Sequence, residues 1–109
     1  LMRGQTDECI AVCQEIKRHN PKFAGAYSLL LNIYLQQQNL YGAEAEIMQM
    51  IDNDLMDNQT MGTYVQLKQA QGMDERTAVR TLYSAIAKSL EKRGKKEQAQ
   101  QYRQMLAQI

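Results

Sequence analysis

Few residues in this chain are of a type that does chemistry. His19 is the single histidine and stands beside Lys17, Arg18 and Pro21. General acid–base catalysis needs a group that titrates near the working pH and is held against a second polar group. With this one histidine acid–base catalysis has little to draw on, and His19 reads as a solvent-exposed histidine at a helix end. Cys9 and Cys13 lie four residues apart on a predicted helix. Their side chains point the same way, but parallel Cβ vectors along one helix axis are poor geometry for a disulfide. His19 falls beyond the face they share, so they also lack partners for a metal site. Both read as small core residues of a reducing compartment.

The acidic run Asp52, Asp54 and Asp57 has oxygen-ligand spacing loosely like a calcium loop. It lacks the turn glycine and the downstream glutamate such a loop requires, so it reads as a solvated turn. The basic set Lys88, Lys92, Arg93, Lys95 and Lys96 is mixed with Glu91 and Glu97 and reads as a solvated helix end. The chain has no glycine-rich loop before a helix, no Gly-Lys-Ser/Thr and no nucleophile elbow. The expectation is no catalytic residue, no metal site and no cofactor, and a protein that is not an enzyme.

Bulk properties narrow the class. The chain has 109 residues, 44% hydrophobic and 23% charged, with one proline, which fits an ordinary helical domain able to bury a core. A net charge of +1 gives no general attraction to nucleic acid or to acidic membranes. No apolar run is long enough to span a membrane or to act as a signal peptide. Glutamine is abundant, and because it forms helix well without charge it marks helix faces. The chain starts at Leu1 rather than Met, so it reads as a segment of a longer protein whose targeting signal would lie elsewhere. The expected location is cytoplasmic.

The elements that would position any site are helical throughout. In Ala24 to Asp57, Tyr27, Leu30, Leu31 and Tyr34 fall at i, i+3, i+4 and i+7, one apolar stripe. A polar break, Gln36 to Asn39, follows. A second helix carries Ala43, Ile47 and Met50 on one face, and Ala43 and Ala45 allow close approach between helices. Residues 1–22 read as a preceding helix, with Thr6 as a plausible N-cap and Pro21 as its stop. Asn53 to Gln59 is a polar joint. A helix is expected from about Thr60 to Gln71, broken by Gly72. Asp74 caps a long helix to about Arg93 with Leu82, Ile86, Ala87 and Leu90 inside, and Gly94 ends it. The last helix runs from Lys96 to Gln108. The methionines, seven in all, read mostly as adaptable core filling, with Met50 on the hairpin stripe.

The hairpin resembles a tetratricopeptide repeat. Tyr27, Leu30, Tyr34, Ala43, Ile47 and Met50 fall where that repeat carries its aromatic, aliphatic and small positions. Leu31 stands where a small residue is usual and Leu55 where proline is usual, so the repeat is degenerate. Gly4, Cys9, Cys13, Ile16 and Pro21 resemble the second half of an earlier repeat. Tyr83, Ile86, Ala87, Leu90, Gly94, Ala99 and Leu106 resemble another, with Arg103 departing from the pattern. Tyr27 and Tyr83 are 56 residues apart, short of two periods of about 34, so the middle is irregular: either Thr60 to Gln71 is a helix inserted between two repeats, or it is a first helix whose partner is Asp74 to Arg93 and the last helix is a cap. The resemblance implies one all-α domain over 1–109, a short solenoid of about six helices: half repeat 1–22, repeat 24–57, irregular helix 58–73 and repeat 80–109.

It also implies a function. In such repeats the first helix of each hairpin lines a concave face that holds a segment of another protein. Here that face would carry Gly25, Ser28, Asn32 and Gln36, then Gln66 and Gln69, with Gln59 and Gly62 nearby, then Ser84 and Lys88, with Thr81 and Glu91 nearby. Amides both donate and accept, so this face would bind without selecting a charge. Ser28, Thr81 and Ala85 stand where a carboxylate clamp for chaperone tails would need bases, so that activity is not expected. The reading is a non-catalytic adaptor, scaffold or assembly factor whose partner is a peptide or helix of another protein. Apolar residues at the two ends (Leu1, Met2 and Ile10; Leu106 and Ile109) would support a homo-oligomer. The alternative is a single-stranded RNA-binding segment, because Tyr27 to Asp57 also resembles a pentatricopeptide repeat with Ser28 and Asp57 as base readers. The low net charge supplies little for phosphate contacts.

Overall fold

The computed structural model describes residues 3–109, Arg3 by its backbone alone, and these residues form six α-helices with no strand among them. They fall into two compact units, Leu1–Leu55 and Met56–Ile109. Unit 1 holds α1 (Arg3–His19), α2 (Ala24–Gln36) and α3 (Leu40–Asp52); unit 2 holds α4 (Asn58–Ala70), α5 (Glu75–Lys92) and α6 (Lys96–Gln108). In each unit the middle helix packs against both neighbours.

Unit 1 is built on the expected stripe. Tyr27, Leu30 and Leu31 of α2 and Ala43, Ile47, Met50 and Ile51 of α3 are buried, while Tyr34 is partly covered. Ala43 alone makes the close approach; Ala45 lies two residues on, about 200° round the helix, and is exposed. Cys13 of α1 joins Ala26 and Leu30, with Ile10, Ile16 and Tyr34 packed against them. The Tyr27 hydroxyl donates to the Pro21 carbonyl at 2.9 Å, which ties the α1–α2 turn to the core. Thr6 lies inside α1 rather than at its N-cap. The helix already includes Gly4 and Gln5, and a single interior glycine, at about 1 kcal/mol relative to alanine, is too small an obstacle to stop it.

Unit 2 has a parallel construction. Leu82, Ile86, Ala87 and Leu90 of α5 are buried with Ala99 of α6 and with Tyr64 and Leu67 of α4. Tyr83 and Tyr102 meet edge to face at 5.6 Å between ring centroids. Arg76 Nε donates to the Ile109 carbonyl at 2.8 Å, and Arg80 Nη1 to the Leu106 carbonyl at 3.1 Å. Two guanidinium groups of α5 thus satisfy carbonyls at the C-terminal end of α6, which fixes an antiparallel pair. Arg103, which departs from the repeat pattern, reaches back to Glu91 at 2.8 Å.

Four helices, α2 to α5, end by one rule. The amide of Lys95 bonds to the Leu90 carbonyl and that of Gly94 to the Glu91 carbonyl, the paired bonds of a Schellman motif. The same pairs recur at Met73 and Gly72, at Asn39 and Gln38, and at Leu55 and Asp54. Each motif needs a left-handed residue. Gly72 and Gly94 supply it, but so do Gln38 at φ 57° and Asp54 at φ 60°. Starts are capped locally: Asn39, Asp57 and Asp74 side chains accept from the amides of Gly42, Thr60 and Thr77.

Candidate functional site

The residues expected to form an interaction face are placed on helix exteriors. Gly25, Ser28, Asn32 and Gln36 lie along one side of α2, and all four are exposed. Gln66 and Gln69 are exposed on α4, and Lys88 is exposed on α5 while Ser84 is half-buried. Of their expected neighbours, Gln59 and Gly62 are exposed. Thr81 is half-buried and donates its hydroxyl to the Thr77 carbonyl at 2.8 Å. Glu91 is taken up by Arg103, whose hydrogen bond holds that carboxyl below the usual glutamate range. The α2 set belongs to unit 1, and the α4 and α5 sets to unit 2.

The α2 side is less polar than the amide pattern implies. Leu29 stands among Gly25, Ser28 and Asn32 at helical spacing and is 47% exposed. It is not isolated. Cys9, Val12 and Ile16 of α1 line the same groove as Leu29, an opening of about 550 Å³ in which Gln5 and Glu8 supply the polar atoms. Val12, at 58%, is exposed even more than Leu29. Phe23 is half exposed, and its ring covers Gly25, where a Cβ would meet it at 3.2 Å. The reason lies in the width of apolar sequence. The residues Tyr27, Leu30, Leu31 and Ile33 already fill the inward faces of α2, so Leu29 has nowhere to go but out. On α1, Val12 stands off the stripe that packs on α2, while Cys9 and Ile16 reach the groove from that stripe's edge, Ile16 also packing against the core.

Val12 and Leu29 are what the sequence reading passed over. The signal was present: Val12 and Leu29 are branched aliphatics off the core stripe of their helices, and α2 is apolar on nearly every side. The ends expected to be exposed are not the apolar surface. Ile10 packs against the core, Leu106 and Ile109 are half-buried, and Leu1 and Met2 lie outside the described residues. Burial separates the two cysteines: Cys13 is enclosed, whereas Cys9 is half-buried at the groove. Burial chiefly, with Cys9 and Glu46 nearby, pushes the Cys13 thiol above its ordinary pKa.

Unit 1 also holds a buried charge pair absent from the sequence reading. Lys17 Nζ donates to both carboxylate oxygens of Glu46 at 2.7 Å, with the two side chains only 7% and 3% exposed. The same ammonium stands 4.8 Å over the Tyr27 ring. Burial and then the Glu46 charge raise the Tyr27 hydroxyl pKa. This arrangement joins α1 to α3 across α2 and is structural in kind, since the ion pair is closed off from solvent.

His19 is exposed and stands 2.9 Å from Glu15, which also pairs with Arg18. The Asp57 carboxylate is engaged by the Thr60 amide. No group of three potential metal ligands occurs among the described residues. No helix among the described residues is long and apolar enough to cross a membrane. Compared with known protein families, with curated proteins and with solved structures, the chain matches none.

Proposed function

We propose that this chain is a non-catalytic protein–protein interaction module of degenerate tetratricopeptide type, an adaptor or assembly factor that holds a segment of another protein against the outer side of α2. The observation that carries the reading is Leu29, half exposed in the middle of a polar strip on a helix whose other sides are buried. A lone surface leucine means little. A leucine continuous with Cys9, Val12 and Ile16 across an interhelical groove is the apolar centre and polar rim of a binding surface. Asn32 and Gln36 supply rim groups that donate and accept.

The mechanism is preorganisation. The backbone of α2 is fixed by packing on both sides, so binding orders only the ligand. Gln66, Gln69, Ser84 and Lys88 give unit 2 a polar surface of its own for a second contact.

The test offers the purified protein a cell extract and, separately, a random single-stranded RNA pool over a range of salt. A discrete protein retained by the wild type and lost from Leu29→Gln, and weakened by Asn32→Ala with Gln66→Ala, supports the module. RNA retained at low salt and released steeply as salt rises would refute it in favour of an RNA-binding segment. A protein retained equally by all variants would place the contact on another face.

A further inference from the structure

We infer that the α1/α2 groove of unit 1 docks an amphipathic α-helix of a partner protein, one whose apolar stripe is flanked by lysine or arginine. The inference rests on the interaction-module reading and names the partner's chemistry. Three observations lead to it.

The first is the character of the walls. Cys9, Val12 and Ile16 recur along α1 at helical spacing, with Leu29 opposite on α2. The backbone behind these side chains is helix interior, with its amides and carbonyls bonded within α1 and α2. An extended peptide laid there would find no backbone partner and would bury its own polar groups unpaired. A helix brings its backbone bonds with it. From Gln5 to Ile16 the α1 wall is about 17 Å long at 1.5 Å per residue, which matches about three turns of a docked helix.

The second is charge. Unit 1 carries four lysines and arginines against seven aspartates and glutamates, a net charge of −3. Its described bases are already engaged: Lys17 by Glu46, Arg18 by Glu15, and Lys22 by the Asn53 carbonyl at 2.7 Å. Glu8, the one charged residue of the groove lining, sits beside Asp7 at the N-terminal end of α1. Neither has a base against it among the described residues. A helix bearing a base at that end of its stripe would complete them, and an acidic helix would be repelled.

The third concerns the occupant. A second copy offers a basic unit 2, with nine lysines and arginines against five acids. That unit, however, exposes only Met105 among its large apolar side chains, and one methionine does not fill a groove lined by Cys9, Val12, Cys13, Ile16 and Leu29. The charge fits a second copy but the shape does not, so the groove is assigned to a different chain.

The experiment is a selection on the full chain from a displayed library of 14-residue helices with randomised apolar stripe and flanking positions. The expected pool is enriched in lysine and arginine beside an i, i+3, i+7 apolar stripe. A selected helix, synthesised and titrated by fluorescence anisotropy, should lose at least tenfold in affinity against Val12→Gln with Leu29→Gln. Both substituted residues are more than 40% exposed, so folding should be kept, which circular dichroism checks. Against Glu8→Gln the same helix should lose about threefold and show a flatter salt dependence. Four results overturn the inference: no enrichment, an acidic or charge-indifferent pool, binding unmoved by Val12→Gln with Leu29→Gln, or self-association of the free protein abolished by that same pair. If the selection fails while the extract partner still depends on Asn32 and Gln66, the docking helix is wrong and the interaction module stands. If both fail, the module falls as well.

Discussion

Replacing Lys17 with methionine should strongly destabilise unit 1, although Lys17 belongs to a stretch, Lys-Arg-His, that looks like an ordinary charged helix end. The Lys17 ammonium bonds both oxygens of Glu46 at 2.7 Å, and both side chains are more than nine-tenths buried. Methionine keeps the length of the stem and its packing against Tyr27 but leaves the Glu46 carboxylate buried without a cation. Breaking a buried pair from one side costs about 3–5 kcal/mol, against about 0–1 for an exposed pair. The whole chain is expected to have about 5–16 kcal/mol of stability at ~0.05–0.15 kcal/mol per residue, so the loss is a large share. The assay is urea denaturation followed by far-ultraviolet circular dichroism and tyrosine fluorescence, since the chain has no tryptophan. The companion is the double variant Lys17→Met with Glu46→Leu. It removes the orphan together with its partner and should recover most of the loss, because an apolar pair of similar volume replaces a buried ion pair at little or no cost. A Lys17→Met loss below about 1 kcal/mol would show the pair to be solvated and the burial argument wrong. Losses that merely add in the double variant would show that the two charges are not coupled.

The aspartate caps predict a pH effect. Hydrogen bonds from Thr60 and from Thr77 hold the Asp57 and Asp74 carboxyls below the usual aspartate range. With folded values below the unfolded one of about 3.9, their contribution is present at neutral pH and is lost as pH falls below about 4 through the folded values. Asparagine still caps, so Asp57→Asn with Asp74→Asn should keep the urea midpoint at pH 7 and flatten its fall below pH 4; an unchanged acid slope would refute this. Gln38→Gly should raise stability by about 0.5–1 kcal/mol, because glutamine at φ 57° bears a left-handed penalty that glycine avoids. Gly94→Ala, at φ 82°, should lower it by about 1 kcal/mol, and equal and small effects of both on thermal melting would contradict the motif. A thiol reagent should modify Cys9 readily and Cys13 only on unfolding, since Cys13 is enclosed and its thiol pKa is raised; two equally fast thiols in the native protein would place Cys13 at the surface.

The sequence by itself determined what depends on neighbours a few residues away. Helical period, turn residues and caps act within one or two turns, so the last helix runs from Lys96 to Gln108 as expected, Asp74 caps α5, and Gly94 closes it. The left-handed turns at Gln38 and Asp54 were harder to see because neither is glycine; there the Schellman bonds and the packing of the next helix outweigh the local preference. The exposed side of α2 was legible through the repeat resemblance, which puts Gly25, Ser28, Asn32 and Gln36 on one face, and all four are exposed. Tertiary structure decided what a single helix cannot. Lys17 finds Glu46 across 29 residues, a pairing that no local pattern encodes, because either charge alone reads as solvated. Leu29 and Val12 carry the same ambiguity in reverse. An aliphatic residue off the main stripe is inside or outside according to which helix faces it, and only the packing of α1 on α2 left these two together at the surface, on the walls of one groove.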